Sequence, residues 1–591
     1  MAFDSLTLSA IVSELAPEIT GAKINKIHQP DPYTILMKCH SPAGPIRLLW
    51  SAHPDNGRLV RTDSNRENPA KAPMFLMVLR KWLEGARIIG LNCTEGERVA
   101  TLHAEGRDEL GDPILLHLVI EIMGRHSNII LYNDQGLIID GIRRYGSHLS
   151  RYREVLPGKP YLPPPPMNRS PLPPREEIDL AKLLYDNPEQ PITVTLRREV
   201  SGVSPLLAED IVVRSGLHEE TLPDQLGEYE IHRIYTSLVE LDRIIREKAY
   251  QPTLWKHQDQ YLDFAAIRPA QWPKEEQQPA DSMNAAVDIF YQQREKEQQL
   301  RKRYNELNRS LQRHIARLNK KIGLEEADLY QSEAAEAYKE AGDLLAAYLW
   351  HINKGMDQVK LPSFTNPEQI ICVKLDPALT PQENVQRYYR RYAKAKKARG
   401  SIQTHLDQNR QERDYLLSIE QAMQDCRTLE ELDAIEKEAS TAGYHHPATT
   451  SRKPGSKSGI DKGAPPLPPR RVISADGFTI LIGRNNKQND RLSLNRAGTE
   501  DLWLHAQKMP GSHVIIIREG REIPDSTLLE AAAYAAWFSK GRNSNQVPVD
   551  YLPAGKLRKP PGSRPGYVIF TGQRTLYVEP REPQEVQEHT E

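Results

Sequence analysis

The sequence predicts a multidomain α+β protein in which a long helical arm separates two globular ends. Short β-type segments joined by Pro, Gly and Asp turns fill residues 23–142, and helical periodicity dominates residues 281–440. Short apolar strands return near the carboxy terminus, and a length of 591 residues corresponds to about four domains. The predicted divisions are a domain at 1–165, a helical-hairpin region at 175–270, a coiled coil at 281–440 with a small α/β tip at about 340–380, a disordered basic linker at 441–471 and an α/β domain at 472–580.

Composition indicates the class of protein but says little about its binding partners. The formal net charge of −1 conceals basic and acidic stretches that cancel, so only local charge runs are informative. The four cysteines are scattered without a C-x-x-C pair, which favours a reducing compartment and disfavours a zinc ribbon. The first residues lack a basic segment and contain Asp4 and Glu14, so a signal peptide is not predicted. We expect a soluble cytosolic protein without a membrane partner.

The amino-terminal domain should combine two helices with a curved antiparallel sheet. Asp4 can cap a first helix, and a second helix is predicted at 74–83. The alternating apolar segments predict strands at 23–28, 34–40, 46–51, 98–104, 114–123, 128–132 and 137–142.

Two turns of this domain carry candidate binding groups. Glu97 and Arg98 open a strand directly after a turn, and the segment 121–128 (EIMGRHSN) joins two apolar strands. Gly124 permits close backbone approach, and Arg125 offers a planar fork for a phosphate or a base edge. A polar turn that only satisfies its own backbone is the competing interpretation.

A proline-rich stretch, 163–174, predicts a stiff extended linker before the next region. Residues 196–217 then predict two helices joined by a tight turn at Gly202-Val203-Ser204-Pro205, which resembles a helix-hairpin-helix. The backbone amides of such a hairpin hold a phosphate without reading sequence. A purely structural helical hairpin remains an equally good interpretation.

The outbound leg of the arm has apolar residues at 300, 304, 307, 311, 315, 318 and 322. The mean step of about 3.7 residues is close to helical period, so we expect a nearly straight antiparallel helix pair. Ten Lys and Arg residues lie between Arg294 and Lys321, against three Glu. A leg of about 40 residues would extend roughly 60 Å, which suits a large partner better than a small ligand.

The tip should contain a short helix at 343–350 and two strands at 356–361 and 370–375. A capping box with proline at the first helical position, Thr380-Pro381-Gln382-Glu383, starts the return helix. Tyrosines alternate there with cations, a pattern that favours contact with an RNA backbone and exposed bases. A solvated face whose tyrosines pack on the tip is the other interpretation. The candidate rRNA contacts are Arg387, Tyr388, Arg390, Arg391, Tyr392, Lys394, Lys396 and Lys397.

The carboxy-terminal domain holds the densest group of polar residues. Four amides and alternating cations in one loop could form a nest for phosphate and ribose, with a self-contained polar network as the alternative. The histidines stand apart from Cys or carboxylate partners, so no metal site is predicted. The candidate residues are Arg484, Asn485, Asn486, Gln488, Asn489, Trp503, His505 and His513.

Four segments together resemble the NFACT family, and they occur in the family's order: EIMGRHSN, GVSPLLAE, LDPALTPQENVQRYYRRYAKAKKA and GRNNKQND…DLWLHAQKMPGSHV. The resemblance covers almost the whole chain. It implies an NFACT-N domain, a helix-hairpin-helix, a coiled coil with a middle domain and a carboxy-terminal NFACT-R domain.

The resemblance also implies a function in ribosome-associated quality control. Such proteins bind a large ribosomal subunit obstructed by peptidyl-tRNA and recruit charged tRNA, in bacteria alanyl-tRNA, for untemplated tailing of the nascent chain. The ribosome would form the peptide bonds, so no catalytic residue and no cofactor are expected. The tRNA contacts carried over are Glu97, where the family has Asp, and Arg98; Arg125 and His126 are further candidates. The arm would lie on rRNA with its tip near stalk-base proteins, and a small S4-type RNA-binding protein is an implied partner.

Two rival functions come from other classes. The NFACT-N and hairpin arrangement resembles the formamidopyrimidine DNA glycosylases, which use an amino-terminal proline and a four-cysteine zinc finger. Here residue 2 is Ala2 and the cysteines are dispersed, which disfavours glycosylase chemistry. A fibronectin-binding surface adhesin is disfavoured because no export or anchoring segment is evident, and the absence of a Gly-x-x-x-x-Gly-Lys-[Ser/Thr] loop disfavours NTP hydrolysis.

Overall fold

A computed structural model describes residues 3–64, 66, 68–107, 111–165, 168–332, 334–364, 366, 369–445 and 467–584. The chain separates into two compact units, Met1–Glu297 and Gln298–Glu591. Most of the predicted disordered linker, 446–466, lies outside the described residues. At the two ends of that prediction the structure differs, because a helix continues to Thr441 and a strand begins at Arg470.

The first unit contains six complete α-helices in its described residues. They are α1 (Ser5–Ile19), α2 (Met74–Leu83), α3 (Glu177–Tyr185), α4 (Ile192–Glu199), α5 (Pro205–Arg214) and α6 (Glu228–Glu247). Its strands are β1 (Lys23–Asp31), β2 (Thr34–Ser41), β3 (Gly44–Ser51), β4 (Arg58–Arg61), β5 (Arg87–Cys93), β6 (Val99–Arg107), β7 (Pro113–Glu121), β8 (Asn128–Asn133), β9 (Ile138–Gly141), β10 (Thr253–His257), β11 (Gln260–Ala265) and β12 (Gln277–Pro279).

The core of this unit is formed by a large β-sheet and the helices that pack against it. The first nine strands form one sheet in the order β4-β3-β2-β1-β5-β6-β7-β8-β9, with antiparallel pairing. Helix α1 buries Leu8, Ile11 and Leu15 in the same core cluster as the sheet. As predicted, Asp4 caps this helix, because its carboxylate accepts a hydrogen bond of 2.8 Å from the Thr7 amide.

Helices α4 and α5 are joined by a short turn that ends at Ser204. The Ser204 side chain caps α5, and Pro205 occupies its first turn, where a missing amide hydrogen costs nothing. Leu196 of α4 and Leu207 and Ile211 of α5 are buried in the core of the unit. The predicted helical segments are thus present, while the helix-hairpin-helix as a phosphate-binding motif stays a prediction.

Helix α7 (Met283–Ser332) runs on into the second unit. The other helices there are α8 (Ala334–Ala347), α9 (Pro381–Gln424), α10 (Leu429–Thr441), α11 (Asn486–Arg491) and α12 (Asp525–Trp537). The strands are β13 (Gln358–Pro362), β14 (Ile370–Lys374), β15 (Arg470–Ile473), β16 (Thr479–Ile482), β17 (Leu502–Ala506), β18 (Val514–Ile516), β19 (Val547–Pro553) and β20 (Arg574–Val578).

Helices α7 and α9 pack together within the second unit. Leu311 of α7 shares a buried cluster with Leu416 and Ile419 of α9. Two polar contacts show the relative direction of the helices. Gln312 contacts Glu420, and Lys321, further along α7, donates over 3.1 Å to Asn409, which comes earlier in α9. The two helices are therefore antiparallel here, and coiled-coil packing in the strict sense stays a prediction.

The tip and the carboxy-terminal sheet complete the unit. Strands β13 and β14 pair antiparallel, and the predicted capping box holds the start of α9, with the Thr380 amide donating to Glu383 over 2.7 Å. The last six strands form a sheet in the order β15-β16-β18-β17-β19-β20, and α12 buries its alanines against it. Among the described residues, no helix has the length and apolar character needed to cross a bilayer.

Candidate nucleic-acid interface

Glu97 and Arg98 lie in the turn between β5 and β6, at one end of the large sheet. The Glu97 amide donates to the Thr94 carbonyl over 3.1 Å, and both side chains are half-buried. Burial lowers the pKa of Arg98, while Asp4 and Glu97 act in the opposite direction. The guanidinium nevertheless stays charged at neutral pH, because an arginine pKa lies far above 7.

The turn that carries Arg125 and His126 lies at the same end of the sheet. It is a short 3₁₀ helix, Gly124–His126, between β7 and β8, and the Ile122 amide donates to the Arg98 carbonyl over 2.9 Å. Arg125 and His126 are exposed, and Gly124 has a φ of 58°, which permits the tight turn. The four candidate tRNA residues of the sequence prediction are therefore grouped at one end of the β6–β7 hairpin.

The acidic residue that opens the EIMGRHSN segment supports this turn from inside. Glu121 is fully buried and accepts hydrogen bonds of 2.6 and 2.5 Å from the two terminal nitrogens of Arg153. The Tyr161 hydroxyl donates to the same carboxylate over 3.0 Å. A buried carboxylate needs such partners, so Glu121 holds the base of the turn and does not face a ligand.

The turn between α4 and α5 packs directly against the Glu97-Arg98 turn, which the sequence did not predict. A Cβ built on Gly202 would lie 3.3 Å from the Gly96 Cα, and both glycines have positive φ. The Ser5 hydroxyl donates to the Gly202 carbonyl over 3.2 Å, which ties the turn to the start of α1.

This packing forms an open cleft of about 450 Å³ beside Arg98. Two further arginines line it, Arg169 and Arg197, and sequence reasoning missed both. Arg169 and Arg197 are far from Arg98 along the chain and no motif singles them out, so the sequence gives no sign that the three residues share a cleft. The other lining residues are Asp4, Ser5, Gly96, Glu97, Met123, Gly202, Val203, Ser204 and Pro205.

Most candidate rRNA contacts lie exposed along the first turns of α9. Arg390, Arg391 and Lys394 are exposed and border a concave surface of about 420 Å³. Lys396 and Lys397 continue the exposed row, whereas Tyr392 is half-buried.

Two of the candidates in α9 are held within the tip. Tyr388 is only 8% exposed, packs in the tip core and donates its hydroxyl to the Lys374 carbonyl over 2.7 Å. Arg387 pairs with Asp376 over 2.9 Å. The expectation that Tyr388 offers its ring to RNA thus conflicts with its burial, because apolar contacts already cover the ring.

The polar residues 484–489 do not form the expected open loop. Asn485 caps α11 by accepting a hydrogen bond of 2.9 Å from the Gln488 amide, so the chain continues as a helix. Arg484 is paired with Glu431, and the buried Asn486 donates to Ser418 and to Glu438 over 2.8 and 3.0 Å. The Asn489 side-chain oxygen accepts from the His513 amide over 3.2 Å.

The rings of Trp503, His505 and His513 lie together, and His513 contacts Asn489 of α11. The Trp503 ring stacks near His505, with centroids 5.7 Å apart, and His513 is 2% exposed and contacts Ser493 over 2.7 Å. Burial lowers the pKa of His513 well below its ordinary value, so this ring is neutral at pH 7. In the described residues, no group of three or more His, Cys, Asp or Glu side chains is arranged to hold a metal ion.

Comparison with known proteins agrees with this organisation. The family described as NFACT N-terminal and middle domains matches residues 4–458, and the NFACT protein RNA binding domain matches residues 469–576. The chain is 32% identical over 589 residues to the Rqc2 homolog RqcH of Bacillus subtilis (strain 168), covering 98% of both chains. It is 32% identical over 587 residues to the same-named protein of Streptococcus suis (strain 05ZYH33), covering 98% of this chain and 99% of the relative.

A solved structure of part of a related protein is also similar. The N-terminal part of the fibronectin/fibrinogen-binding protein from Streptococcus suis is 28% identical and covers 49% of this chain and 99% of that chain, with a TM-score of 0.40. Because the family matches cover both described units and the full-length relatives align from end to end, the chain belongs to the NFACT family.

Proposed function

We propose that this protein is a ribosome-associated quality control factor. It binds obstructed large ribosomal subunits carrying peptidyl-tRNA, recruits charged tRNA, with alanyl-tRNA as the proposed species, and directs untemplated carboxy-terminal tailing of the stalled chain. The name of its full-length relatives, Rqc2 homolog RqcH, and the RNA-binding description of its last domain support this role. The observation that carries it is the grouping of Glu97, Arg98, Arg125 and His126 at one end of a single sheet.

In this proposal the protein forms no peptide bond. The ribosomal peptidyl-transferase centre makes the bonds, and the factor holds the incoming tRNA. Arg98 and Arg125 supply planar cationic forks for RNA, and Glu97 takes the place of the family's Asp with one more methylene. These groups bind and orient, which is how a positioning factor acts.

The exposed cations of α9 are proposed to anchor the arm on rRNA, with the tip near stalk-base proteins. Arg390, Arg391 and Lys394 border a concave surface whose described lining is mostly charged, with Leu379 as its apolar member. Such a lining suits a phosphate backbone better than a small molecule. The protein then acts in the cytoplasm on the ribosome, and a small S4-type RNA-binding protein is the further partner proposed.

Separating the two RNA contacts tests this function. Purified Arg98→Ala should lose tail addition in a reconstituted reaction with obstructed large subunits and alanyl-tRNA, yet retain co-sedimentation with the subunits. The matched control is Arg87→Ala, an exposed arginine on the neighbouring strand β5, which should behave as wild type. A loss of subunit binding equal to the loss of tailing, in a variant that keeps its thermal stability, would refute the assignment of Arg98 to tRNA.

The adhesin hypothesis has less support. Two similar solved proteins are named for fibronectin binding, but nothing in the described residues of this chain favours that role over RNA binding. Cell fractionation distinguishes the two hypotheses. Most of the intact protein would be at the cell surface if it were an adhesin, and most would sediment with ribosomes if it were a ribosomal factor.

A further inference from the structure

We propose that the cleft between the Gly96–Arg98 turn and the Gly202–Pro205 turn is a binding site for the phosphate backbone of RNA, with Arg169 and Arg197 as two contacts beside Arg98. The inference rests on the proposed function for the identity of the RNA as tRNA.

Three separate segments bring their arginines to this cleft. Arg98 follows the β5–β6 turn, and Arg197 lies on α4, about one helical turn before the hairpin. Arg169 is positioned by its neighbour Ser170, whose amide donates to the Glu199 carbonyl over 2.7 Å and whose carbonyl accepts from the Ser201 amide over 2.8 Å. Long-range contacts therefore hold all three guanidinium groups near one cleft.

The charges in the cleft favour an anionic ligand. Three arginines line it against two carboxylates, Asp4 and Glu97, which leaves a net charge of 3 − 2 = +1. One oxygen of Asp4 already accepts a hydrogen bond from the Thr7 amide, so this carboxylate is shared with the helix cap. The charge of Arg169 also disfavours the charged form of Arg98, and such repulsion between neighbouring cations is relieved when an anion lies between them.

The lining favours phosphate over a nucleobase. Proteins hold unstacked bases on the faces of aromatic rings or on arginine planes, and sites for several bases combine such planes with aromatic rings. Among the described residues that line the cleft there is no Trp, Tyr, Phe or His, and its apolar members are Met123, Val203 and Pro205. Arginine forks without a stacking partner recognise the phosphate backbone, which fixes the position of an RNA without reading its sequence.

Charge-removing variants of the full-length protein test the site. Arg169→Gln and Arg197→Gln should each weaken binding of unfractionated tRNA about tenfold and should each lower the slope of log affinity against log salt by about one. The loss should be the same for tRNA species with different anticodons, because a phosphate contact carries no sequence information. Arg197→Lys, which keeps the charge and loses the fork, should retain the slope and lose less affinity.

The matched control is Arg198→Gln, at the next position of the same helix. Arg198 is exposed, but its guanidinium is engaged by Glu199 over 2.7 Å and by Gln190 over 3.2 Å, and it does not line the cleft. This variant should bind tRNA within twofold of wild type. Thermal unfolding of each variant checks that the fold is retained, which we expect for the exposed Arg197.

Failure of this inference differs from failure of the proposed function. Should the wild-type protein bind no tRNA, the proposed function is wrong. Should Arg98→Ala bind weakly while Arg169→Gln and Arg197→Gln bind like wild type with an unchanged salt slope, only the phosphate site is wrong. Losses confined to one tRNA species, or competition by polyglutamate as strong as by inorganic polyphosphate, would also overturn the site, because the recognised group would then be a base or a carboxylate.

Discussion

Gly96 and Gly202 lie against each other with no room for a side chain between them. A Cβ on Gly202 would lie 3.3 Å from the Gly96 Cα, and a Cβ on Gly96 would lie 2.5 Å from the Ser201 hydroxyl oxygen. Both residues have φ values, 69° and 75°, that side chains rarely adopt. This contact determines the width of the cleft beside Arg98, because it is where the two turns meet.

Gly202→Ala should therefore destabilise the protein for two reasons, backbone strain and close contact. We expect a loss of about 2–3 kcal/mol in the free energy of unfolding of the first unit, measured by urea denaturation. Gly136→Ala is the matched control, because Gly136 has a φ of 73° and open space around its Cβ position. It should lose only about 1–2 kcal/mol, from strain alone. Equal losses in the two variants would show that the contact between the turns has no energetic weight.

Arg153→Met should be among the most destabilising changes in the first unit. It leaves the fully buried Glu121 carboxylate without its cationic partner, which typically costs about 3–5 kcal/mol. Lys159→Met removes the cation of the solvent-exposed Lys159–Glu154 pair and should cost much less, because water screens such a pair. Chemical denaturation of the two variants measures the difference, and a small effect at Arg153 would mean that Glu121 can be satisfied by other donors.

The concave surface of α9 gives a prediction about the arm. The double variant Arg390→Gln/Lys394→Gln should weaken binding to large ribosomal subunits by about one to two orders of magnitude at moderate salt and lower the salt slope by about two. Lys339→Gln changes an exposed cation on α8 that does not border this surface and should bind normally. Tyr388→Phe removes only the buried hydroxyl contact with Lys374 and should alter tip stability more than subunit binding. Unchanged sedimentation of the double variant with subunits would argue against α9 as the anchor.

The Glu431 cluster predicts a dependence of stability on acid pH. Burial alone would raise the pKa of Glu431, but the hydrogen bond from the Arg427 amide and the charges of Arg470 and Arg484 outweigh it, so the pKa lies below its ordinary value. A carboxylate whose pKa is lower in the folded state contributes stability above its unfolded pKa of about 4.3. That contribution disappears as pH falls through the folded value.

The corresponding measurement compares wild type with Glu431→Gln in urea at several pH values. Above about pH 5 the wild type should be the more stable protein, and the difference should shrink as the pH falls below about 4. Comparing the two proteins at each pH removes the effect of the other carboxylates. A difference that stays constant down to low pH would contradict the lowered pKa. Adding Arg484→Ala to this series tests whether Arg484 is primarily structural, because loss of its contact with Glu431 should lower the free energy of unfolding.

The positions of most elements followed from local patterns. Helix α2 was predicted at 74–83 and occurs there, and seven of the nine strands of the first sheet were predicted within a few residues, because alternation and turn residues act over short distances. Strand β5 was missed, since Gly90 interrupts its apolar run and the pairing with β6 shifts register there. Strands β4, β10, β11 and β12 were also missed.

The candidate sites depended much more on tertiary contacts. Short-range pattern identified Arg98 and Arg125, but only folding shows that Arg169 and Arg197 line a cleft with Arg98. Residues 484–489 have the same polar composition as a ligand-binding loop, and whether their groups face solvent or bind Glu431 and Glu438 depends on segments more than forty residues away. The sequence by itself determined caps, strands, helices and the cationic face of α9, since these depend on neighbouring residues. The tertiary structure decided which polar groups are already satisfied and which surround a cleft, because a hydrogen bond or a charge interaction depends on distance in space and not on separation along the chain.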